Sequence, residues 1–258
     1  MIIGLKPRCT PGAALTRIAD GWRLEIPAGE KGTYRLAQLD DYTTISRRHF
    51  PHTPPLILSL CARVSASNLP GTWGFGLWND PFGFSLGFGG TAGRLPVLPN
   101  AAWFFHASPP NWLAVHDEIP AQGFFAGMIQ SPSLPSLLVA PGLLVAPLLT
   151  IRPFSRLLRR LASRRLQQDA VAITVDDTVW HQYSFIWLRA GLSFKIDGET
   201  ILQTAIAPSP PLGLVIWIDN QFAAWTPQGR LAAGTLENPA AWLDIGSVEI
   251  NRVRNEPL

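Results

Sequence analysis

The chain has 258 residues, of which 47% are apolar and 15% charged, so it can bury a full core and is not intrinsically disordered. Its 22 glycines and 24 prolines are typical of a turn-rich β protein. The net charge is +3, and six arginines within residues 152–165 account for the basic excess. Because the excess is local, nucleic-acid binding by the whole chain is not indicated.

The first residues contain too short an apolar run for a signal peptide, and they carry no lipidation motif. We therefore expect a cytoplasmic protein in which the thiols of Cys9 and Cys61 are reduced. Two cysteines also exclude a disulfide framework and a zinc site made of four thiolates.

Most of the chain consists of short alternating or apolar runs between turn residues, which predicts about a dozen strands. Asp197-Gly198 separates two such runs and predicts a type I′ hairpin turn, because both residues accept positive φ angles. The regular spacing predicts an all-β sandwich, with residues 1–258 forming a single domain. The predicted strands cover 22–26, 33–37, 56–64, 82–88, 101–105, 112–116, 124–130, 171–175, 180–188, 192–196, 200–204, 212–218 and 242–250.

Residues 131–168 interrupt this pattern. The first part is almost entirely apolar, but Pro135, Pro141 and Pro147 each remove a backbone donor, which argues against a transmembrane helix. The segment that follows has helical periodicity. We interpret 131–168 as an irregular, partly helical insertion at one edge of the sandwich. The predicted apolar helix face consists of Phe154, Leu157, Leu158 and Leu161.

Three segments of the chain carry recognisable patterns: LPGTWGFGLW at 69–78, HQYSFIWLRAGLSFKIDG at 181–198 and LDIGSVEI at 243–250. In this order they resemble strands of laminarinase-like glycoside hydrolases, family 16. The resemblance implies a concanavalin A-like jelly roll, in which two curved antiparallel sheets present a ligand groove on the concave face. In the second segment, period-2 alternation predicts an inter-sheet core row of His181, Tyr183, Phe185 and Trp187.

The catalytic strand of that family carries carboxylates at acid-x-acid spacing, which act as nucleophile and general acid/base. The corresponding stretch here, NAAWFFHASPPN at 100–111, contains no carboxylate. The retaining mechanism is therefore not carried over, and we predict a protein that binds carbohydrate without hydrolysing it. The first alternative is a divergent glycoside hydrolase that uses Asp80, Asp117 or Asp219.

Aromatic residues beside short polar groups at strand ends are the groove candidates, because sugars stack on aromatic faces and bond to amides and carboxylates. Along one strand, Leu214, Ile216 and Ile218 share the expected core face. Trp217 and Asp219 share the other face, which leaves them for the groove. The opposing interpretation is that tryptophans fill the interior and Asn-Asp pairs form turns. The predicted ligand-binding residues are Trp78, Asn79, Asp80, Trp103, His106, Trp217, Asp219, Asn220 and Gln221.

No cofactor is expected apart from a structural calcium ion. Asp244 matches the position from which some relatives in the resembled family bind calcium, so the resemblance implies that it is a calcium ligand. The five histidines lack the paired spacing of a zinc site.

The second alternative function concerns residues 134–166. A cationic amphipathic segment can bind an anionic membrane, an apolar ligand or a protein partner. The opposing interpretation is an ordinary surface helix that packs its leucines on the sandwich and leaves its arginines in water. The arginines predicted to contact a membrane or partner are Arg156, Arg159, Arg160 and Arg164.

Overall fold

The computed structural model describes residues 4–81, 94–132 and 146–252. Within them, the chain forms two seven-stranded antiparallel sheets, a separate two-stranded hairpin and one α-helix. The predicted all-β sandwich of two antiparallel sheets is confirmed. The strands are β1 (Lys6–Cys9), β2 (Ala14–Ile18), β3 (Gly21–Ile26), β4 (Leu36–Asp40), β5 (Leu56–Val64), β6 (Thr72–Trp78), β7 (Ala101–Ala107), β8 (Gly123–Gln130), β9 (Gln167–Ala172), β10 (His181–Leu188), β11 (Gly191–Ile196), β12 (Glu199–Thr204), β13 (Gly213–Asp219), β14 (Gln221–Trp225), β15 (Leu231–Thr235) and β16 (Ala241–Arg252).

The order of strands in sheet A is β1-β4-β13-β6-β7-β8-β9, and in sheet B it is β12-β11-β10-β5-β16-β3-β2. Strands β14 and β15 form the hairpin. The helix α1 covers Arg152–Ser163, and two 3-10 turns cover Arg47–His49 and Ala146–Thr150.

The sequence located most strands correctly. The Asp197-Gly198 turn is confirmed, with φ angles of 50° and 84° joining β11 to β12. The strands expected at 33–37 and 171–175 are displaced along the chain to β4 and β9. The strand expected at 82–88 lies outside the described residues.

The strand predicted at 112–116 is wrong. Trp112 makes an isolated bridge to Ala224, and the amide of Val115 bonds to the side chain of Gln168 instead of a neighbouring strand. An isolated bridge and a side-chain acceptor thus stand in place of a ladder, and the segment is a loop that extends to Gln122, before β8.

The main core lies between the two sheets. Sheet B contributes three members of the predicted row, Tyr183, Phe185 and Trp187, which are fully buried. The fourth member, His181, is wrong as a core residue, because it is half-buried and its Nδ1 lies 2.6 Å from the carboxylate of Asp197. Sheet A contributes the inward faces of its central strands, including Phe75 and Ile216. Each such side chain contributes about 1.5–3 kcal/mol by leaving water.

Sheet A is apolar on its outer face as well. Leu36, Phe105, Phe125, Val215 and Trp217 form a second buried cluster there. Strands β7 and β13 are therefore covered on both faces, which explains their nearly continuous apolar sequences.

The predicted apolar face of α1 is wrong in part, because Phe154 and Leu158 are half-buried but its other two residues are exposed. Leu157 and Leu161 are 55% and 47% exposed, whereas Ser155 and Arg159 are buried. Arg159 turns inward because it donates to the carbonyl oxygens of Ala114, at 2.7 Å, and Trp225, at 3.1 Å. No helix among the described residues is long and apolar enough to cross a membrane.

Candidate functional site

A pocket of about 280 Å³ lies on the outer face of sheet A. Its floor is built from alternate residues of β13, β6, β7 and β8, and one wall is the loop that includes Leu113, Ile119 and Pro120. Gly74 makes room for one of these side chains, since a Cβ there would lie 2.9 Å from the ring of Trp217.

Five aromatic rings line this pocket in a connected series. The ring centroids of Trp103 and Trp217 are 6.1 Å apart, and that of Phe105 lies 5.1 Å from Trp103 and 5.2 Å from Trp217. Phe125 and Trp78 extend the series at 5.4 Å and 6.3 Å. Period-2 alternation places these rings on the same side of the sheet.

A polar corner closes the pocket at the ends of β6 and β13. The hydroxyl of Thr72 donates to Oδ1 of Asp219 at 2.8 Å, and the hydroxyl of Tyr34 donates to Oδ2 at 3.1 Å. The indole Nε1 of Trp217 donates to the Thr72 hydroxyl at 2.9 Å. Gln221 completes the corner, and its Oε1 is buried with no hydrogen-bond partner among the described residues.

Burial controls the charge of this corner. The side chain of Asp219 is removed from water, which raises its pKa to about 7. The hydrogen bonds from Thr72, the amide of Gln221 and Tyr34 lower the pKa, but the cost of burying the charge is larger. The Tyr34 pKa is raised well above its usual value, first by burial and then by the neighbouring Asp219. Tyr34 is thus a hydrogen-bond donor at neutral pH, and Asp219 changes its charge there.

The structure brings five of the nine predicted ligand-binding residues together. All five line the pocket, and they combine the aromatic and polar chemistry for which they were selected. They are Trp78, Trp103, Trp217, Asp219 and Gln221.

The other four predicted residues do not line the pocket. His106 points to the opposite face of sheet A, where it stacks on Trp73 at 5.4 Å, because it is one residue out of phase with Phe105. Burial lowers the His106 pKa to about 4. Asp80 is buried beside Arg94, whose Nη1 lies 2.8 Å from Oδ2.

Asn79 and Asn220 connect loops instead of facing the pocket. Asn79 accepts from the amide of Asn100 at 3.0 Å. Asn220 accepts from the amide of Arg35 at 2.9 Å and donates to the carbonyl of Leu236 at 2.8 Å. Their amides thus satisfy backbone groups of neighbouring segments.

Sequence reasoning missed Tyr34, Thr72 and Phe125. A signal existed for Thr72, because alternation within the segment 69–78 places it on the same face as Trp78. No local pattern identifies Tyr34, which precedes β4 and reaches Asp219 only in the folded chain.

Of the three carboxylates proposed for a divergent hydrolase, Asp219 lines the pocket, whereas Asp80 and Asp117 do not. The lining contains Asp219 on β13 and Asp169 on β9. These strands are four steps apart in sheet A, which is about 19 Å at a spacing of about 4.8 Å. Asp169 also alternates with the groove-facing Gln168 and Ala170. Asp117 is exposed and pairs with Arg159 at 2.8 Å.

Asp244 does not fit the role of a calcium ligand. Its buried carboxylate lies between Arg23, at 2.6 Å, and Arg63, at 3.0 Å. Two guanidinium groups already neutralise it and occupy both oxygens. Among the residues the structure describes, no group of three or more His, Cys, Asp or Glu side chains could hold a metal ion.

The arginines of α1 have different surroundings. Arg159 is buried, so it is not available to a membrane or partner as predicted. The Nε of Arg156 donates to the carbonyl of Gln228 at 2.8 Å. Arg160 and Arg164 are exposed.

A larger depression of about 580 Å³ lies at the other side of the molecule, between His52 and the end of β16. None of the predicted site residues lines it. The pocket on sheet A is therefore the candidate site, because it joins a series of aromatic rings to a buried titratable group.

No protein-family model matches this sequence, and no curated protein matches it. Solved structures, in contrast, match its fold. A legume lectin-like domain from Entamoeba histolytica aligns with a TM-score of 0.51 and 11% identity, covering 97% of this chain and 91% of that one. The exoplasmic/lumenal domain of VIP36, in a form with Ca²⁺ and Man3GlcNAc bound, aligns with a TM-score of 0.50 and 12% identity, covering 98% and 86%.

The fold is the concanavalin A-like jelly roll. A family 16 endo-glucanase from Bacteroides ovatus also aligns, with a TM-score of 0.47, 10% identity and coverage of 96% and 94%. The predicted resemblance is confirmed as a resemblance of fold by the two structures with TM-scores of 0.50 and 0.51. Identities this low establish the architecture alone, so function has to be argued from the pocket.

Proposed function

We propose that the pocket on the outer face of sheet A binds a carbohydrate without hydrolysing it. The observation that carries this proposal is the junction of the aromatic series with the polar corner. Trp103 and Trp217 offer faces for the C–H surface of a sugar ring. Asp219 and Gln221 offer directional hydrogen bonds at the edge of the same rings.

The isolation of Asp219 from other carboxyl groups of the lining supports binding without hydrolysis. Glycosidases need two carboxyl groups about 5–9.5 Å apart. Asp219 has no such partner in the lining, and the groove-facing positions of β7 hold Trp103 and Phe105. The lectin-like domains that share the fold, one of them with Man3GlcNAc bound, are consistent with this reading.

The test is a titration of tryptophan fluorescence and binding heat against mono- and oligosaccharides of glucose, galactose and mannose. We expect saturable binding to one of these sugars, weakened at least tenfold by Asp219→Asn or Trp103→Leu. The matched control is Trp180→Leu, which changes a half-exposed ring on the other sheet and should leave affinity unchanged.

Two results would contradict this proposal. One is the absence of saturable binding across all three sugar series. The other is equal binding by the two pocket variants and the control, with circular dichroism showing that all are folded. Release of reducing sugar at a rate that depends on Asp219 would contradict the non-catalytic part.

A second candidate function concerns the surface of α1. Leu157 and Leu161 project into water, and the helix itself contains no acidic residue. Exposed arginines flank these leucines, and Ile151, before the helix, is 51% exposed. Such a helix can lie on an anionic bilayer, with leucines in the acyl boundary and arginines among the headgroups.

Sedimentation with vesicles of phosphatidylcholine containing 30% phosphatidylserine tests this candidate. We expect binding that is lost in 0.5 M salt and in the double variant Leu157→Ser, Leu161→Ser. Leu231→Ser, which changes a 49% exposed leucine on β15, is the control. Equal binding by the double variant and the control would exclude α1 as the contact surface.

A further inference from the structure

The pocket is asymmetric in polarity. The corner of Tyr34, Asp219 and Gln221, on the β13 side, holds a buried carboxyl group, a hydroxyl group and the Oε1 of Gln221, which has no hydrogen-bond partner among the described residues. Toward β8 and the 111–120 loop the lining becomes apolar. That apolar end consists of Trp78, Pro81, Pro99, Trp103, Phe125, Ile129, Leu113, Ile119 and Pro120.

Several polar groups at the apolar end are already engaged or turned away. Oε1 of Gln168 accepts from the amide of Val115 at 2.8 Å. Alternation turns the side chain of Asp169 to the other face of β9. Asn111 bonds through both atoms of its amide, to Ser108 and Ala223. Away from the Nε2 of Gln168 and the Nε1 of Trp103, a ligand hydroxyl placed at the apolar end would lose its water without gaining a partner, which is costly.

The floor is long compared with the polar corner. It crosses β13, β6, β7 and β8, three steps that amount to about 14 Å. The corner occupies only the first step, between Asp219 and Thr72. Most of the pocket is thus suited to a part of the ligand that has no hydroxyl groups.

We propose that the ligand is a glycoside whose sugar binds at the polar corner and whose alkyl or aryl group fills the apolar end. This inference rests on the proposed carbohydrate-binding function and specifies the class of sugar derivative. The apolar group gains by leaving water at a wall of aromatic and aliphatic side chains. The sugar fixes its orientation through Asp219, Tyr34 and Gln221.

Matched ligands separate the two contributions. We would measure binding of methyl and hexyl glycosides of glucose, galactose and mannose by calorimetry below the micelle concentration, with 1-hexanol as the ligand that has no sugar. For the sugar that fits the corner, we expect the hexyl glycoside to bind at least tenfold more tightly than the methyl glycoside. We expect 1-hexanol to bind more weakly than the hexyl glycoside.

Two variants assign the contributions to the two ends. Leu113→Asn places an amide at the apolar wall, and it should weaken the hexyl glycoside several-fold while leaving the methyl glycoside unchanged. Asp219→Asn should weaken both glycosides by the same factor. Leu231→Asn, at an exposed leucine outside the pocket lining, is the control and should change neither.

The outcomes distinguish the inference from the function on which it rests. Equal affinity for methyl and hexyl glycosides would overturn the inference and leave carbohydrate binding intact. Equal affinity for 1-hexanol and every hexyl glycoside would overturn carbohydrate binding itself. If no ligand binds, both proposals fail.

Discussion

Trp217 and Asp219, two residues apart on β13, are linked through one hydroxyl group of the neighbouring strand. Thr72 accepts from the indole of Trp217 at 2.9 Å and donates to the carboxyl group of Asp219 at 2.8 Å. The aromatic wall and the polar corner are therefore held in a fixed relation. A ligand that stacks on the ring meets the carboxyl group at a distance set by the sheet.

The hydroxyl of Thr72 should contribute measurably to stability. Thr72→Val leaves the buried donor of Trp217 without its acceptor, and we expect a loss of about 1–3 kcal/mol in the free energy of unfolding. Urea denaturation followed by tryptophan fluorescence measures this loss. Thr72→Ser keeps the hydroxyl and should recover most of it. A valine variant as stable as the serine variant would show that the link is energetically neutral.

Stability should depend on pH through Asp219. Its pKa is about 7 in the folded chain and about 3.9 in an unfolded one, so the folded protein binds this proton more tightly. The resulting stabilisation is complete below about pH 4 and is lost as the pH rises to 7. Asp219→Asn cannot ionise, so its stability relative to the parent should rise by about 4 kcal/mol over that range.

Thermal and urea unfolding of the parent and Asp219→Asn at half-unit pH intervals measure this difference. Asp169→Asn, in the same pocket lining but half-buried, serves as the control. If the difference in free energy of unfolding between Asp219→Asn and the parent stays constant from pH 4 to pH 8, Asp219 is ionised throughout this range.

His106 should give the stability of the fold the opposite dependence on pH, with a loss in acid. Burial against Trp73 lowers its pKa to about 4, so the unfolded chain binds this proton more tightly. The parent should lose stability as the pH falls from 6.5 toward 4, by about 2 kcal/mol at pH 5. His106→Phe keeps an aromatic ring on Trp73 and should lack this loss. The exposed His49, changed to Gln, is the control, and an identical acid response of all three proteins would refute the assignment.

Gly71 and Gly123 form a matched pair for a backbone test. Both have positive φ angles, 104° and 84°, so alanine is strained at either position. At Gly71 a Cβ would also lie 2.0 Å from the carbonyl oxygen of Asp219, whereas at Gly123 it meets nothing within 4 Å. We expect Gly71→Ala to cost about 1–3 kcal/mol more than Gly123→Ala in urea unfolding. Equal losses in the free energy of unfolding would indicate that β13 shifts easily to make room for the added methyl group.

Asp244 should stabilise the protein without calcium. Removal of its carboxylate by Asp244→Ala leaves Arg23 and Arg63 without their common partner. Because both guanidinium groups are about a third exposed and can rehydrate, we expect a loss of only about 1–3 kcal/mol. Differential scanning calorimetry of the parent with 5 mM calcium or with chelator should give the same melting temperature. A calcium-dependent shift that disappears in Asp244→Ala would restore the metal interpretation.

Local pattern predicted the parts of the fold that local physics determines. Alternation placed Trp217 and Ile216 on opposite faces of β13, and Asp197-Gly198 determined the hairpin of β11 and β12. These features depend on side-chain period and allowed φ angles, both of which are properties of a few consecutive residues.

The predictions that failed concern residues whose hydrogen-bond partners are distant in the sequence. Arg159 faces inward because carbonyl groups of Ala114 and Trp225 need donors, and neither is near it in sequence. Asn79 and Asn220 were predicted to bind the ligand. In the sequence, an asparagine whose side chain bonds to backbone groups cannot be distinguished from one whose side chain binds a sugar. Only the folded contacts separate the two roles.

The positions of β13 and β16 have a consequence for how this protein folds during its synthesis on the ribosome. Strand β13 lies between β4 and β6, and β16 lies between β5 and β3, so the middle of each sheet is filled by a strand from the last fifth of the described sequence. Until those strands emerge, β4, β6, β5 and β3 each present an unpaired edge. Nascent chains of this topology should therefore depend on chaperones until synthesis passes residue 252.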